Sequence, residues 1–592
     1  MTRQVWFQLV DGEGNAVTSA DRVEVLSDEA DVVDLRKEVK KEWSNTLADV
    51  DAGNLTVFAN RAAYDAKQAL EEDSPIGPLG GSKQDALIVQ VPTQRRVETD
   101  EEPALKKPKT STVIKDEHMK SIGHSLDIDT WQVGGIALDI CRIESDFPEW
   151  FYVRKETIDI IKVFEAQMKA NLNTVLIGTP GVGKSMLVVL FAFYMALLQK
   201  KRVVLFRKQK GKGFSMLYLD AEKKNCWRMD DALIEDLYLH RQYFMGAELC
   251  LDGLRYNDVE SHFGMMGKFR LLATSAQYPL KDDDLVVIRE CLVPFWSLSD
   301  LNAIGTHREW PEHENKDRYF YSGGNLRAFL SGEGHAGTSI DKAIRRVVPN
   351  DAELLNTQYG GASVSQVDRL RMTGIQANDH RDLNKYLSDR HWICVITSEY
   401  ALRQLGKIVK PSYYEELWSK GRMLGDDGLM GIAFENYVHT LARDGKKIEL
   451  QVRAYDRVKA RQHTYVALEF EAKACRNDGI DATECDAAMK RLASSSDDYW
   501  YPSRRSLDTI DSVAKLNMGG QPNMVGLIQI TKSDKHTIDS NAVDKYAGFF
   551  PNGSRYIALV PNKETCDKFR LAPASPDTKV PLDVAYITTW CL

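Results

Sequence analysis

The sequence predicts a multidomain α/β protein. Three observations predict it: strands alternate with helices over 117–300, a glycine-rich loop joins a strand to a helix there, and a second α/β pattern fills 421–592. The chain has 592 residues, of which 43% are hydrophobic and 27% charged, as in folded globular domains. No apolar run approaches the about 18 residues of a membrane-spanning helix. These features exclude disordered, fibrous and membrane-spanning classes, and we expect no membrane partner.

The first 92 residues predict a small β-rich domain. The pattern indicates strands at 6–10 and 21–26, a helix at 31–43, and strands at 55–60 and 86–92. A hairpin, a helix and two more strands is the element order of a ubiquitin-like β-grasp fold. An unrelated α+β domain is the alternative.

Residues 93–116 are polar, contain proline and carry mixed charge, which predicts a linker. Lys106, Lys107 and Lys109 form a basic cluster within it. Extended lysines of this kind bind nuclear-import receptors, but short basic runs also occur in solvated linkers, and both interpretations stay open. Because the net charge is −8, any nucleic-acid contact must come from local charge.

The strongest chemical motif lies at 173–198. A strand, the loop GTPGVGKS and a long apolar helix match the phosphate-binding loop GxxxxGK[ST]. In such loops backbone N–H groups surround phosphate oxygens, the lysine reaches the β and γ phosphates, and the hydroxyl holds Mg²⁺. We therefore predict ATP or GTP binding, with Lys184 and Ser185 in those two roles. The predicted nucleotide contacts are Gly178, Thr179, Pro180, Gly181, Val182, Gly183, Lys184 and Ser185.

A phosphate-binding loop also needs a strand that ends in an acid for the metal. The strand at 247–253 ends near Asp252, and the next strand, at 268–275, ends in Thr274. This order is expected in additional-strand P-loop ATPases. We predict that Asp252 holds Mg²⁺ and that Thr274 senses the γ-phosphate or positions water. Asp220, in LYLDAE, is the alternative metal ligand.

Other residues complete the predicted nucleotide site. Gly253 stands where such ATPases often carry a catalytic glutamate, so we expect slow hydrolysis unless Glu248 or another residue substitutes. Residues 301–420 predict a mostly helical lid. Its GGNLR segment places Arg327 where it can reach back to the nucleotide, and an ordinary surface arginine is the alternative.

Residues 421–592 predict a helix, strands, a helix and a strand, which is the core order of restriction-endonuclease-like folds. Such folds hold Mg²⁺ on oxygens from the helix and two adjacent strands, and the metal activates water against a phosphodiester. Glu435 on the helix, Asp511 on one strand and Gln529 on the next fit these positions. The pattern therefore predicts a metal-dependent nuclease site.

The usual Glu-x-Lys motif of such sites is replaced by Gln529-Ile530-Thr531. A one-residue slip in a strand moves a side chain to the other face, so a lysine one place late does not simply substitute. The missing positive charge or base is predicted to come from Lys532, Lys535 or His536. A literal Glu471-Ala472-Lys473, with Asp456 upstream, ranks lower because a helix and a YWYP turn follow it in place of the final strand.

Together these motifs resemble those of the Crinkler effectors over nearly the full length. The resembling segments are LTVFAN in the place of an LFLAK-type element, LIVQVPT, GTPGVGKS, LCLDG, GGNLR, GIAFENYVH and YWYP(x)₈DSVAKL with IQITKSDKH. The resemblance implies the Crinkler–RHS architecture, in which an AAA/STAND-like NTPase is joined to a restriction-endonuclease-superfamily domain. It carries the nuclease roles onto Glu435, Asp511 and Gln529. It also implies secretion by an oomycete or fungus and cleavage of double-stranded DNA in a host nucleus, leading to cell death.

The predicted function is that of an NTP-gated, Mg²⁺-dependent DNA endonuclease, in which bound nucleotide repositions the helical lid. Two alternatives stay open. One is a nucleotide-switched signalling scaffold whose degenerate nuclease domain binds a host protein, and the other is a simple NTPase whose first domain recruits ubiquitin-pathway proteins. NTP-dependent oligomerisation is a further option. The N-terminus, MTRQVWFQLVDGEGN, lacks the charged-then-apolar pattern of a secretory signal.

Overall fold

The structure is a computed structural model that describes residues 3–590 with internal gaps. The gaps are 12–13, 15, 26–29, 44–46, 48–51, 92–110, 127–129, 210–212, 241–242, 244, 255–268, 275–285, 346–369, 378–381, 456–462, 505–506, 508 and 519–520. The predicted basic cluster at 106–109 and Asp456 therefore lie outside the described residues. The chain divides into two compact units, Met1–Ala104 and Leu105–Leu592. Among the described residues, no helix has the length and apolar character needed to cross a membrane.

The first unit is a four-stranded sheet with one long helix. Its elements are β1 Arg3–Val10, β2 Asp21–Val25, α1 Val32–Glu42, β3 Thr56–Phe58, α2 Arg61–Asp65 and β4 Leu87–Gln90. The strand order is β2-β1-β4-β3, with β1 antiparallel to β2 and parallel to β4. Val5 and Phe7 of β1 share a buried core with Leu35 of α1. The predicted hairpin, helix and two later strands are all present, and α2 is an addition.

The second unit begins with an eight-stranded sheet. Its first elements are β5 Thr112–Val113, α3 Asp116–Ser125, β6 Gly134–Ala137, β7 Trp150–Val153, α4 Lys155–Lys169, β8 Asn173–Ile177, α5 Lys184–Leu197, β9 Val203–Lys208, β10 Phe214–Leu219, β11 Trp227–Ala232, α6 Ile234–Leu239, β12 Glu248–Asp252, β13 Leu271–Ala273 and β14 Ile288–Leu292. The sheet order is β14-β8-β13-β12-β9-β10-β11-β5. The edge strand β5 lies within the segment predicted as a linker. It was not predicted, because a strand of two residues is too short to give a recognisable sequence pattern.

The order of the parallel strands positions the predicted nucleotide site. From β14 to β9 all neighbours pair in parallel, and β13 lies between β8 and β12. The carboxyl ends of these strands therefore meet at one edge of the sheet, where open α/β sheets bind ligands. Helix α5 leaves β8 through the glycine-rich loop and is apolar and buried over most of its length, which anchors the loop in the core.

Helices and one hairpin connect the two sheets of this unit. The elements are α7 Leu298–His307, α8 Glu312–Ser322, α9 Leu326–Ser331, α10 Glu333–Ile344, β15 Arg371–Ile375, β16 Trp392–Ile396, α11 Glu399–Leu405 and α12 Pro411–Leu424. Strands β15 and β16 pair antiparallel with each other. The connector is therefore mostly helical, as predicted, and its apolar run HWICVIT forms β16.

The C-terminal part holds a second eight-stranded sheet. Its elements are α13 Asp427–Arg443, β17 Ile448–Ala454, β18 Val466–Phe470, β19 Cys475–Asn477, α14 Ala482–Ser494, β20 Tyr499–Tyr501, β21 Ser512–Met518, β22 Gln521–Ile530, β23 Lys535–Thr537, α15 Ser540–Ala547, β24 Ser554–Val560, α16 Lys563–Lys568, β25 Arg570–Ala572 and β26 Leu582–Ile587. The order is β18-β17-β26-β24-β22-β21-β20-β19. Multidomain α/β architecture is confirmed.

Two details of the C-terminal prediction are wrong. The YWYP segment is not a turn, because Tyr499–Tyr501 forms β20 and pairs with β21. The sequence pattern predicts the segment 554–561 as the final strand. This segment forms β24, which is not the last strand, because β26 follows and inserts between β24 and β17. The three aromatic residues of β20 are buried. This burial stabilises a strand even though a proline follows it.

Candidate functional site

The loop between β8 and α5 depends on glycine at three positions. Gly178, Gly181 and Gly183 have φ values of 140°, 97° and 103°, which side chains rarely adopt. Gly181 also lacks space, because an added Cβ would lie 2.2 Å from Oδ1 of Asn325. This backbone brings the N-terminus of α5 to the edge of a cavity of about 500 Å³. A helix N-terminus favours anionic groups.

Lys184, Ser185 and Asp252 meet at this cavity. The Ser185 hydroxyl donates to Oδ1 of Asp252 over 2.9 Å. The Lys184 ammonium donates to the carbonyl oxygens of Gly178 at 2.6 Å and Thr179 at 3.2 Å. A cation, a hydroxyl and a carboxylate beside a helix N-terminus can bind phosphate together with a hard metal ion. Ser185 and Asp252 supply the oxygen donors that Mg²⁺ prefers.

Burial controls the charges of this site. It lowers the pKa of Lys184 to about 7, opposed by nearby Asp252 and reinforced by Arg327. Burial also raises the pKa of Asp252, and Arg207 is the main opposing charge. A bound anion would therefore stabilise the charged form of Lys184, and a bound cation would stabilise the charged form of Asp252.

A buried ion network behind Asp252 was missed by the sequence analysis. Arg207 Nη1 lies 2.7 Å from Oε2 of Glu144, and its Nε lies 3.6 Å from Oδ2 of Asp252. Arg228 also pairs with Glu144, whose side chain is fully buried. Glu144 is about 60 residues from Arg207 in sequence, so no local motif could reveal the pair.

The alternatives to Asp252 lie elsewhere. Asp220 accepts a hydrogen bond from the Lys223 amide at 3.0 Å, as a turn cap does, and it does not line the cavity. Glu248 begins β12, at the opposite end from Asp252, and pairs with Lys201 at 2.8 Å and Arg270 at 2.7 Å. Thr274 lines the cavity, whereas residue 275 is outside the described residues.

Arg327 and its GGNLR segment pack against the loop. The Arg327 amide donates to the Gly181 carbonyl at 3.2 Å, and Nδ2 of Asn325 donates to the Pro180 carbonyl at 2.9 Å. Arg327 also lines the cavity. The start of α9 is therefore hydrogen-bonded to the glycine-rich loop.

In the C-terminal domain, Glu435 lies in a buried charged cluster. Its Oε1 is 2.7 Å from Nη2 of Arg403 and 3.5 Å from Nε2 of His439. Burial would lower the pKa of Arg403, but Glu435 and Glu399 outweigh it and raise that pKa, with a smaller contribution from Asp511. Burial lowers the pKa of His439, so its ring is neutral near pH 7. Arg403 is the cation of this cluster, and no sequence motif marked it.

Asp511 and Gln529 contact each other directly. Asp511 lies just before β21, and its Oδ2 accepts hydrogen bonds from the Gln529 amide nitrogen and from the Ile530 backbone at 2.7 Å. Both side chains are buried, and Oε1 of Gln529 has no hydrogen-bond partner. An unpaired buried oxygen beside a carboxylate fits a cation. However, among the described residues, no group of three or more His, Cys, Asp and Glu side chains could hold a metal ion.

The three predicted sources of positive charge are separate from Arg403. Lys532 pairs with Asp427 at the start of α13. Lys535 and His536 belong to β23, which pairs with β25 in a separate two-stranded sheet. In the alternative motif, Glu471 and Lys473 are exposed beyond the edge strand β18.

Comparison with known proteins gives little. No protein-family model and no curated protein matches the chain. Among solved structures, that of AMPPCP-bound DnaA from Aquifex aeolicus matches the chain at 13% sequence identity. The match covers 47% of this chain and 95% of that one, with a TM-score of 0.21. A likeness this weak identifies no family.

Proposed function

We propose that the chain binds and hydrolyses a nucleoside triphosphate at residues 178–185, as an AAA/STAND-like P-loop ATPase or GTPase. The observation that supports this proposal most directly is the 2.9 Å hydrogen bond between Ser185 and Asp252, at the cavity that Lys184 also lines. The order β8, β13, β12 in the sheet supports the additional-strand class.

Each residue then has a defined role. Lys184 would leave the loop carbonyls and pair with the β and γ phosphates. Ser185 and Asp252 would hold Mg²⁺, which would neutralise phosphate charge. Arg327 approaches from the lid, and Thr274 orients water or the γ-phosphate. Because Gly253 offers no carboxylate, turnover is slow, and the nucleotide acts as a long-lived conformational signal.

Equilibrium binding of ATP and GTP, each with and without Mg²⁺, tests this proposal. We expect wild-type binding and loss of binding in Lys184→Ala. Lys169→Ala, which removes an exposed lysine at the end of α4, is the matched control. Equal binding by wild type and Lys184→Ala, or none by the wild type, would contradict the proposal.

A second candidate function is Mg²⁺-dependent cleavage of double-stranded DNA by the C-terminal domain. It is favoured by the unpaired Oε1 of Gln529 beside Asp511 and by the pairing β20-β21-β22-β24. Glu435, Asp511 and Gln529 would hold the metal, which would activate water. In the described arrangement Glu435 is paired with Arg403, so metal binding at Glu435 would require Arg403 to move away.

A plasmid-nicking assay tests the second function. We expect nicking with Mg²⁺ and nucleotide, abolished by Asp511→Asn and Glu435→Gln but not by Asp577→Asn, an exposed control. Intact supercoiled DNA under conditions of nucleotide turnover would favour the scaffold alternative. Secretion and action in a host nucleus complete the proposal drawn from the Crinkler resemblance. The basic cluster of Lys106, Lys107 and Lys109 adds binding of a nuclear-import receptor, and nucleotide-dependent oligomerisation is proposed as well. The parallel pairing of β1 with β4 supports the ubiquitin-like assignment.

A further inference from the structure

Arg403 is held by three separate contacts in the middle of α11. Its Nη2 bonds Glu435 at 2.7 Å, its Nε bonds Glu399 at 3.0 Å, and its Nη1 donates to the Pro502 carbonyl at 3.3 Å. The side chain is 5% exposed. Glu399 lies on α11 as well, so a shift of this helix changes the other two contacts, those with Glu435 and Pro502. A guanidinium has a fixed planar geometry, which makes such contacts sensitive to displacement.

One set of contacts leads from the phosphate-binding loop to the start of α11 through the lid. Asn325 packs on Gly181 without spare room. Just before it, the Gly324 amide donates to the Thr397 hydroxyl at 3.0 Å. Gly323 is equally tight, since an added Cβ would lie 2.4 Å from that hydroxyl. A displacement of Asn325 is therefore transmitted to Thr397.

A second set of contacts reaches the same place through the hairpin. The Thr179 hydroxyl donates to the carbonyl of Arg371 at 3.0 Å. Arg371 begins β15 and is paired with Ile396, the last residue of β16. Thr397 follows directly, and Ser398 then caps α11 by accepting from the Ala401 amide at 3.1 Å. Two independent routes thus converge on the residues that fix the start of α11.

Resting on the nucleotide-binding function above, we propose that Arg403 is the positioning residue through which nucleotide at the loop acts on Glu435. Phosphate draws Lys184 away from the carbonyls of Gly178 and Thr179, and the loop then moves against Asn325 and Arg371. Helix α11 shifts with Thr397 and Ser398, and Arg403 withdraws from Glu435. Without nucleotide the Glu435 carboxylate is paired with Arg403. With nucleotide bound, this pair is broken and the carboxylate can bind the metal ion.

Thermodynamic reciprocity gives a test that needs no nuclease activity. If nucleotide favours the state without the Arg403–Glu435 pair, removing the pair must strengthen nucleotide binding by the same factor. Arg403→Gln alone removes the cation beside the buried Glu435 and risks misfolding, so the main variant is the double change Arg403→Gln with Glu435→Gln. We expect its affinity for fluorescent ATP or GTP to rise about fivefold or more.

Two control variants make the result specific. Arg555→Gln removes an ion pair with the buried Asp583 in the same domain but touches neither contact route, and it should bind like the wild type. Arg403→Lys keeps a charge opposite Glu435 and should gain less than the double variant. Unchanged or weaker binding by the double variant, or an equal gain in Arg555→Gln, overturns the proposal. Absence of binding in the wild type would instead refute the nucleotide site itself.

Discussion

The Ser185 hydroxyl donates a 2.9 Å hydrogen bond to Asp252, although 67 residues separate them in sequence. This contact joins the start of α5 to the end of β12 at the sheet edge. It places a hydroxyl and a carboxylate side by side, as the proposed binding of a magnesium nucleotide requires.

Removing the Ser185 hydroxyl should weaken the contribution of Mg²⁺ to nucleotide binding without preventing the binding of nucleotide itself. Ser185→Ala keeps Lys184 and the loop backbone, so nucleotide should still bind without Mg²⁺. The gain in affinity that Mg²⁺ gives should fall by at least about tenfold, the usual effect of disturbing a metal site. Titration of nucleotide with and without Mg²⁺ measures this, with Ser331→Ala at the cavity rim as the control. An undiminished Mg²⁺ effect would exclude Ser185 as a metal ligand.

Nucleotide binding should depend on pH through Lys184. Its pKa is lowered to about 7 by burial, and bound phosphate favours the charged form. Above pH 7 binding must therefore take up a proton, and affinity should fall by up to about tenfold per pH unit. Calorimetry between pH 7 and 9 in buffers of different ionisation enthalpy measures the uptake. A flat pH profile would contradict the burial of Lys184 in the free state.

The lowered pKa of Lys184 also makes the stability of the fold depend on pH. Stability is expected to rise with pH, whereas nucleotide affinity is expected to fall. Between pH 7 and the ordinary lysine pKa, the unfolded chain binds more protons at this side chain than the folded chain. The contribution of Lys184 to the free energy of unfolding therefore increases with pH in that window. Lys184→Met should remove this increase, as urea unfolding at pH 7 and pH 9 can show.

Glu144→Gln should destabilise the fold strongly, since it leaves Arg207 and Arg228 in the interior without their shared counter-charge. Breaking a buried ion pair by removing one partner costs about 3–5 kcal/mol. Urea unfolding measures the loss, and Glu149→Gln, at an exposed position, is the control. A loss below about 1 kcal/mol would show that the network contributes little.

A glutamate should not be accommodated at position 253. Gly253 has a φ of 79°, and an added Cβ would lie 2.9 Å from Cβ of Lys208. Gly253→Glu should therefore cost about 1–3 kcal/mol without raising turnover. Gly123→Ala, in α3 with open space around it, should be neutral or stabilising. Faster hydrolysis in Gly253→Glu would show that the backbone can rearrange.

Local pattern was sufficient for most of the longer helices and strands and for the glycine-rich loop. The positions of Lys184 and Ser185 follow from a motif of eight residues, and Asp252 follows from the order of two strands. The roles of Arg403, Arg207 and Glu144 could not be predicted. Arg403 meets Glu435 across 32 residues of sequence, and Arg207 meets Glu144 across 63. Strand β20 was not predicted because the proline after it suggested a turn. Burial of its three aromatic side chains in the folded protein stabilises a strand instead.

The central claim is that the cavity at Lys184 and Asp252 turns over nucleoside triphosphate. Phosphate release by wild type, Asp252→Asn and Asp220→Asn tests it most directly, because both aspartates are buried strand-end carboxylates and only Asp252 lines the cavity. We predict slow Mg²⁺-dependent release by wild type and by Asp220→Asn, and at least about a tenfold loss in Asp252→Asn. Equal rates in the two variants, or no release by the wild type, would contradict the account.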